Sequence, residues 1–195
     1  MSQLNNKIII ITAPSGTGKT TIVHYLLNKY INLSFSVSAA TRQPRANEKN
    51  GVDYYFMSVE EFQQKIEDNA FIEWEMVYEG KYYGTLKADI ERIWSEGKTP
   101  VLDIDAQGAI HVQKQFSHQS LTIFIVPPSI DELRKRLSKR GTETADSIEI
   151  RVSKASYEIS LQQSFDKIVV NDRLEDACNE TEKLILNFLT PQSKT

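Results

Sequence analysis

The run Ile8-Ile-Ile-Ile-Thr-Ala13-Pro-Ser-Gly-Thr-Gly-Lys-Thr20 joins an unbroken apolar segment to a glycine-rich turn, and helical spacing resumes behind it at Ile22, Val23, Leu26, Leu27 and Tyr30. Strand, tight turn and helix in that order are the context in which G-x-x-x-x-G-K-[ST] marks a site for nucleotide phosphates. Gly16 and Gly18 let the backbone curl around an anion with no Cβ in the way. Successive N–H groups then point inward, and the following helix adds partial positive charge at its N-terminus. The expected phosphate-cradling residues are Ala13, Pro14, Ser15, Gly16, Thr17, Gly18, Lys19 and Thr20. Lys19 would reach the β- and γ-phosphates, and the Thr20 hydroxyl would ligate Mg²⁺. Ala13 stands where the strict pattern has its first Gly.

The chain has 195 residues and a net charge of −3. That length suits one domain, able to bury about 70% of its unfolded surface without a disulfide or structural metal. The small net charge gives no general pull toward nucleic acid or a membrane, so any cationic site must be local. The lone Cys178 has no internal partner and suits a reducing compartment. The isoleucine run is too short to span a bilayer and lacks signal-peptide flanks. A cytoplasmic protein with neither nucleic acid nor membrane as partner is the expectation. Pro191–Thr195 reads as a frayed tail.

Further short apolar runs at Val101-Leu102, Leu121–Val126 and Ile168–Val170 read as strands buried on both faces. Amphipathic patterns lie between or after them, at Leu86, Ile90, Ile93 and Trp94, with Gly97 as a C-cap, and at Ala177, Thr181, Leu184, Ile185 and Phe188. Alternating strand and helix predicts a parallel sheet covered on both faces, with ligands at the carboxyl ends of its strands. Two segments break the alternation. From about 36 to 85 the chain is rich in Tyr and Phe, with strand-like Tyr54–Met57, a hairpin over Met76–Tyr83 and a capping box Ser58–Glu61 opening a short helix. From 127 to about 163 a second capping box, Ser129–Glu132, opens a helix carrying Ile130, Leu133 and Leu137; a turn at Gly141 and more helix follow, dense in Arg and Lys.

Four sets of residues could carry chemistry. Asp103 and Asp105 end an apolar strand, where either would hold Mg²⁺ directly or through water; either could instead cap the next helix, and the roles can coexist. Arg42 and Arg45, with Ser38, Thr41 and Tyr54, make a clamp for a second phosphate or, alternatively, a solvated loop. Glu73, between Ile72 and Trp74, is either half-buried or on the outward face of an alternating strand. A half-buried carboxylate would match the adjacent N1 and N2 donors of guanine, which adenine lacks. Arg136, Arg140 and Arg151 would close over a transferring phosphoryl group, or form a solvated basic face. The three histidines show no ligand spacing.

Together these segments identify a resemblance to guanylate kinase over about Lys7 to Phe188. It rests on Ala13–Thr20, Ser36–Arg45, Gly51–Phe56, Phe71–Trp74, Tyr82–Thr85, Leu102–Gly108, Pro127–Ser129, Arg140–Thr144 and Val170–Asp172, in order. The resemblance implies an α/β, three-layer P-loop kinase with a central parallel sheet, a small mixed or antiparallel GMP-binding insertion and a helical lid. The core would be about 1–35, 86–126 and 164–190, the insertion about 36–85 and the lid about 127–163. It implies transfer of the ATP γ-phosphoryl group to GMP or dGMP with Mg²⁺. By position, Ser38, Arg42, Arg45, Tyr54 and Tyr83 would contact the GMP phosphate, with Glu48 steadying the arginines. Glu73, Thr85 and Asp105 would read guanine with Asp103 nearby. Asn171 would approach the adenine of ATP. Lys19, Arg42, Arg136, Arg140 and Arg151 would be the catalytic cations.

Some positions depart from the family pattern: Ala13 for Gly, Ala40 for Thr, Asn47 for Gly and Thr85 for Ser. None removes a charge that the chemistry needs. The competing reading, a guanylate-kinase-like protein-binding module, would typically have lost the phosphate loop, which is intact here. A P-loop GTPase would need an Asn-Lys-x-Asp segment, which the sequence lacks. Oligomeric state and a preference between GMP and dGMP do not follow from the residues.

Overall fold

The computed structural model describes residues 6–139 and 144–190. The turn at Gly141, Arg140 and the Pro191–Thr195 tail lie outside the described residues. The elements in chain order are β1 (Ile8–Thr12), α1 (Lys19–Lys29), β2 (Leu33–Phe35), β3 (Ala39–Ala40), β4 (Tyr55–Phe56), α2 (Val59–Glu67), β5 (Phe71–Tyr78), β6 (Lys81–Leu86) and α3 (Lys87–Ser95). They continue with β7 (Thr99–Asp103), α4 (Ala106–Phe116), β8 (Ser120–Val126), α5 (Ile130–Ser138), α6 (Ala145–Ser160), β9 (Lys167–Val170) and α7 (Leu174–Leu189).

The main sheet runs β2-β7-β1-β8-β9, with every pairing parallel. Its centre explains the isoleucine run. Successive side chains of a strand point to opposite faces. Ile9 and Ile11 pack into one cluster with Ile22 and Leu26 of α1 and Ala177 and Ile185 of α7. Ile8 and Ile10 pack into the other with Ile90 of α3 and Ala109 and Val112 of α4. All four are fully buried, and burial of each contributes about 1.5–3 kcal/mol. This is the three-layer α/β arrangement that the alternating pattern predicts. The edge strand β2 was not legible: three residues are too few to show a period.

A second sheet, ordered β4-β3-β6-β5, is mixed: β3 pairs parallel with β4 and antiparallel with β6, and β5 and β6 form the hairpin. Helix α2 closes its back, with Phe62 stacked on Phe71 at 4.3 Å between ring centroids and on Tyr82 at 5.3 Å. Both bonds of the Ser58–Glu61 capping box are present. The Ser129–Glu132 box is only half made. Ser129 accepts from the Glu132 N–H at 3.1 Å, but the Glu132 carboxylate accepts from Arg136 Nε at 3.1 Å and is not turned back to the cap. A cation one helical turn along outcompetes a neutral amide for that carboxylate.

A buried acid joins the two sheets. Asp89, only 3% exposed, lies on the otherwise apolar face of α3. It accepts from Ser36 Oγ (3.2 Å), Val37 N (3.0 Å), Tyr55 Oη (2.9 Å) and Arg92 Nη2 (2.8 Å). These bonds hold the crossover from the main sheet to the second sheet. A carboxylate at that depth persists only because donors surround it.

Candidate active site

The loop between β1 and α1 sits at the carboxyl end of the central strand. Gly16 and Gly18 have φ of +92° and +98°, a region costly to any residue with a Cβ. A Cβ on Gly16 would meet Leu137 Cδ2 at 2.8 Å, so α5 packs directly on the loop. The loop is braced internally by Thr17 Oγ1, which donates to the Pro14 carbonyl at 2.7 Å. Lys19 and Thr20 open α1, and Lys19 forms an ion pair with Asp103 at the end of β7.

A cleft of about 510 Å³ separates this loop from the second sheet. Ala13–Gly16, Gly18, Lys19 and Thr20 form one wall; Ser38, Tyr54, Glu73 and Tyr83 form the other; Asp103 and Asp105 lie at its floor, and Arg151 reaches it from α6. Residues from widely separated parts of the sequence thus meet in one space.

Glu73 reaches the cleft through an irregularity in β5. Phe71 pairs with Leu86 and Glu73 with Thr85, so Ile72 is an extra residue in the ladder. Such a bulge re-aims the side chains that follow. Phe71 and Trp74 both contact the aromatic group of α2 and Tyr82, whereas Ile72 enters the main core. Glu73 is 6% exposed and accepts from Thr85 Oγ1 at 2.7 Å. A Cβ on Gly108 of α4 would fall only 2.8 Å from its Oε2. Burial, with the nearby Asp105 charge, pushes its carboxyl up to about 7 against the lowering pull of Thr85. Asp105 does cap α4, its Oδ1 accepting from the N–H groups of Gln107 (2.8 Å) and Gly108 (3.0 Å). Glu75, two residues beyond Glu73, also lines the cleft, and its carboxyl is raised by a hydrogen bond shared with Asp105, then by burial.

Arg42 is gripped at both ends of its fork: Nη1 donates to Glu48 Oε2 at 2.6 Å and Nη2 to Oε1 at 2.7 Å. Its guanidinium lies over the rings of Tyr54 (4.7 Å) and Phe56 (5.4 Å). Hydrogen bonds from Arg42 and from the Arg45 N–H hold the Glu48 carboxyl down at about 2. Arg45 differs: its side chain is 80% exposed and its Nη1 lies 4.0 Å from Glu48.

Of the described residues expected at the site, Thr17, Arg42, Arg45, Glu48 and Thr85 stand behind the cleft lining, and Arg136 and Asn171 face elsewhere. Arg136 donates to the carbonyls of Asn171 (2.8 Å) and Asp172 (3.2 Å). Asn171 is 4% exposed and donates through Nδ2 to the Thr17 carbonyl at 2.6 Å. Neither lines the cleft. Arg151 does, and donates to Ser15 Oγ at 2.8 Å. Sequence reading missed Glu75, Lys154 and Glu158, which also line the cleft. The signal was there: Glu75 stands two residues from Glu73 on a strand, and Lys154 and Glu158 follow Arg151 at helical spacing.

A phosphate loop on the central strand of a parallel sheet, facing a second sheet across a nucleotide-sized cleft, defines a P-loop kinase. The sequence profile of guanylate kinase matches residues 5–187. The chain is 49% identical over 183 residues to a guanylate kinase of Bacteroides fragilis, covering 94% of this chain and 90% of that protein. It is 50% identical over 184 residues to one of Porphyromonas gingivalis, covering 94% and 98%. The crystal structure of guanylate kinase from Anaplasma phagocytophilum aligns with a TM-score of 0.76 at 30% identity, over 95% of this chain and 87% of that one. The chain belongs to the guanylate kinase family. Among the described residues, no helix is long and apolar enough to cross a membrane.

Proposed function

We propose that this chain transfers the γ-phosphoryl group of ATP to GMP or dGMP, giving ADP and GDP, in the cytoplasm. The observation that carries the reading is a phosphate loop and a buried Glu73, held by Thr85, facing one cleft. Gly16 and Gly18 leave room for phosphate oxygens against the backbone, and Lys19 supplies charge beside them. Thr20 and Asp103 offer hard oxygen donors in the same cleft as Lys19, a set that suits Mg²⁺. Bound there, Mg²⁺ would neutralise charge on the donor phosphates. Asp103 pairs with Lys19; exchanging that partner for phosphate would place the lysine on the donor.

On the facing wall, Glu73 would accept from guanine N1 and N2, with Thr85 holding one of its oxygens. Arg42, pre-set by Glu48, would take the GMP phosphate together with Ser38, Tyr54 and Tyr83, and the exposed Arg45 would swing in to join them. The attacking phosphate oxygen is already anionic, so no general base is needed. Alignment supplies most of the rate, worth effective molarities of about 10⁵–10⁸ M in well-oriented systems. Residues about 127–163 would act as the lid, with Arg151 facing the transferring group and Arg140 approaching it, and closure would exclude water. Arg136 would support the donor side through Asn171 and Asp172. The test is ADP release with ATP and Mg²⁺ across GMP, AMP, UMP, CMP and dTMP. GMP alone among them should give rapid turnover; equal rates with AMP would sink the guanine assignment.

A further inference from the structure

We propose that Asn171 is a positioning residue for the donor phosphates, holding the Thr17–Gly18 peptide so that the Gly18 N–H faces the cradle. The proposal deepens the kinase reading above and gives Asn171, besides the expected approach to adenine, a bond to the loop itself. Three observations carry it. First, the Asn171 amide is buried and its Nδ2 donates to the Thr17 carbonyl at 2.6 Å. A carbonyl accepts only from a donor, which fixes the amide with its nitrogen toward the loop. Second, a Cβ on Gly18 would fall 2.6 Å from that same Nδ2. The glycine therefore serves two needs at once, the +98° φ and the space that admits the amide. Third, the asparagine is itself anchored. Its N–H donates to the Val126 carbonyl at 2.8 Å, and the Arg136 fork binds its carbonyl and that of Asp172.

The consequence follows from peptide geometry. In a planar trans peptide the C=O of one residue and the N–H of the next point in opposite directions, and no described peptide is cis. Pulling the Thr17 carbonyl toward Asn171, which lies outside the cleft, turns the Gly18 N–H away from Asn171 and toward the side that Gly18 presents to the cleft. Without the anchor this peptide can flip, since glycine on one side offers little resistance. A flipped peptide would present a carbonyl oxygen to phosphate.

The experiment uses the full chain with Asn171→Ala and Asn171→Asp. Calorimetry gives separate Kd values for ADP and GMP, steady-state assays give KM for ATP and GMP and kcat, and thermal unfolding gives Tm. Asn171→Ala should weaken ADP about tenfold, as loss of one buried hydrogen bond does, and raise KM for ATP, while GMP Kd stays within about twofold. Asn171→Asp, which sets a carboxylate against the Thr17 carbonyl, should weaken ADP further. Unchanged ADP affinity overturns the proposal. So does a parallel loss of ADP and GMP affinity with a lowered Tm, the mark of a general structural role. If Asn171→Asp does not fold, Asn171→Ala decides alone. If the unaltered chain binds both nucleotides but transfers no phosphate to GMP, the function proposed above fails, and the ADP titrations still decide the role of Asn171.

Discussion

The two walls of the cleft are built from different materials. The wall proposed for the donor is backbone: a loop between β1 and α1, shaped by Gly16 and Gly18 and fastened by Pro14, Leu137 and Asn171. The facing wall is side chain: Glu73, Tyr54 and Tyr83 on a small mixed sheet, with Arg42 locked to Glu48 behind them. A backbone cradle reads only charge and shape, because every residue has the same N–H. A side-chain wall can read a base, because each group is chosen. Loss of function should therefore differ in kind between the walls, all-or-none on one and selective on the other.

The largest effect should come from Lys19→Met, which removes the cation at the start of α1. We expect kcat to fall by about 10³-fold or more, in line with loss of a key phosphoryl-transfer cation, while GMP affinity changes by less than about twofold. Near-normal turnover would break the assignment of that wall. Next is Glu73→Gln, predicted to weaken GMP by about 30-fold, the scale of a buried donor left unmatched, with ATP affinity nearly unchanged. Equal loss for both nucleotides would erase the contrast. The same variant carries a stability signature. The folded state holds the Glu73 proton up to about 7, so ionising it opposes folding as pH rises from the ordinary carboxylate range through 7. Glu73→Gln should thus raise Tm at pH 8 relative to the parent chain and not at pH 5.

Glu48→Gln should act less strongly. Arg42 keeps its charge but loses its bidentate partner, and KM for GMP should rise about tenfold, with KM for ATP unmoved. Glu48 has a depressed carboxyl, so its contribution to stability is present above the ordinary carboxylate range and is lost as pH falls toward about 2. Parent and variant should therefore differ in Tm at pH 7 and converge in strong acid. An effect of similar size is a pH dependence of binding. Guanosine, which has no phosphate to titrate, should bind about tenfold more tightly at pH 8 than at pH 6 as Glu73 ionises. That slope should vanish in Glu73→Gln; a slope that persists would assign it to another group.

What could be read in advance followed the same division. The donor wall is local in sequence, so the strand, the glycines, Lys19 and Thr20 were legible together, and the four main strands of the parallel sheet were found from their β-branched runs. The capping box at Ser58 was legible for the same reason: its groups lie within one helical turn. The box at Ser129 was misread because Arg136, four residues beyond Glu132, takes that carboxylate.

The acceptor wall is not local, and pattern reached only its residue types. Simple alternation would put Glu73 on the face of Phe71. The extra residue at Ile72 turns it to the other side, and no period in the sequence announces a bulge. Asp89 lies as one polar residue on an apolar helix face, and only its donors from the β2–β3 connection, β4 and α3 show why it is buried. Asn171 reads as a residue near the nucleotide, whereas its amide holds the loop that the opening run of sequence encodes.

By itself, then, the sequence determined the phosphate loop, the class of sheet that carries it and the residue types gathered around it. Local backbone preference and hydrophobic periodicity act over a few residues and need no distant partner. The tertiary structure alone decided which carboxylate entered the cleft, which arginine was held and which left to solvent, and what fixes the loop's peptide. Each of those outcomes depends on contacts between segments far apart in the chain, whose energies no single segment contains.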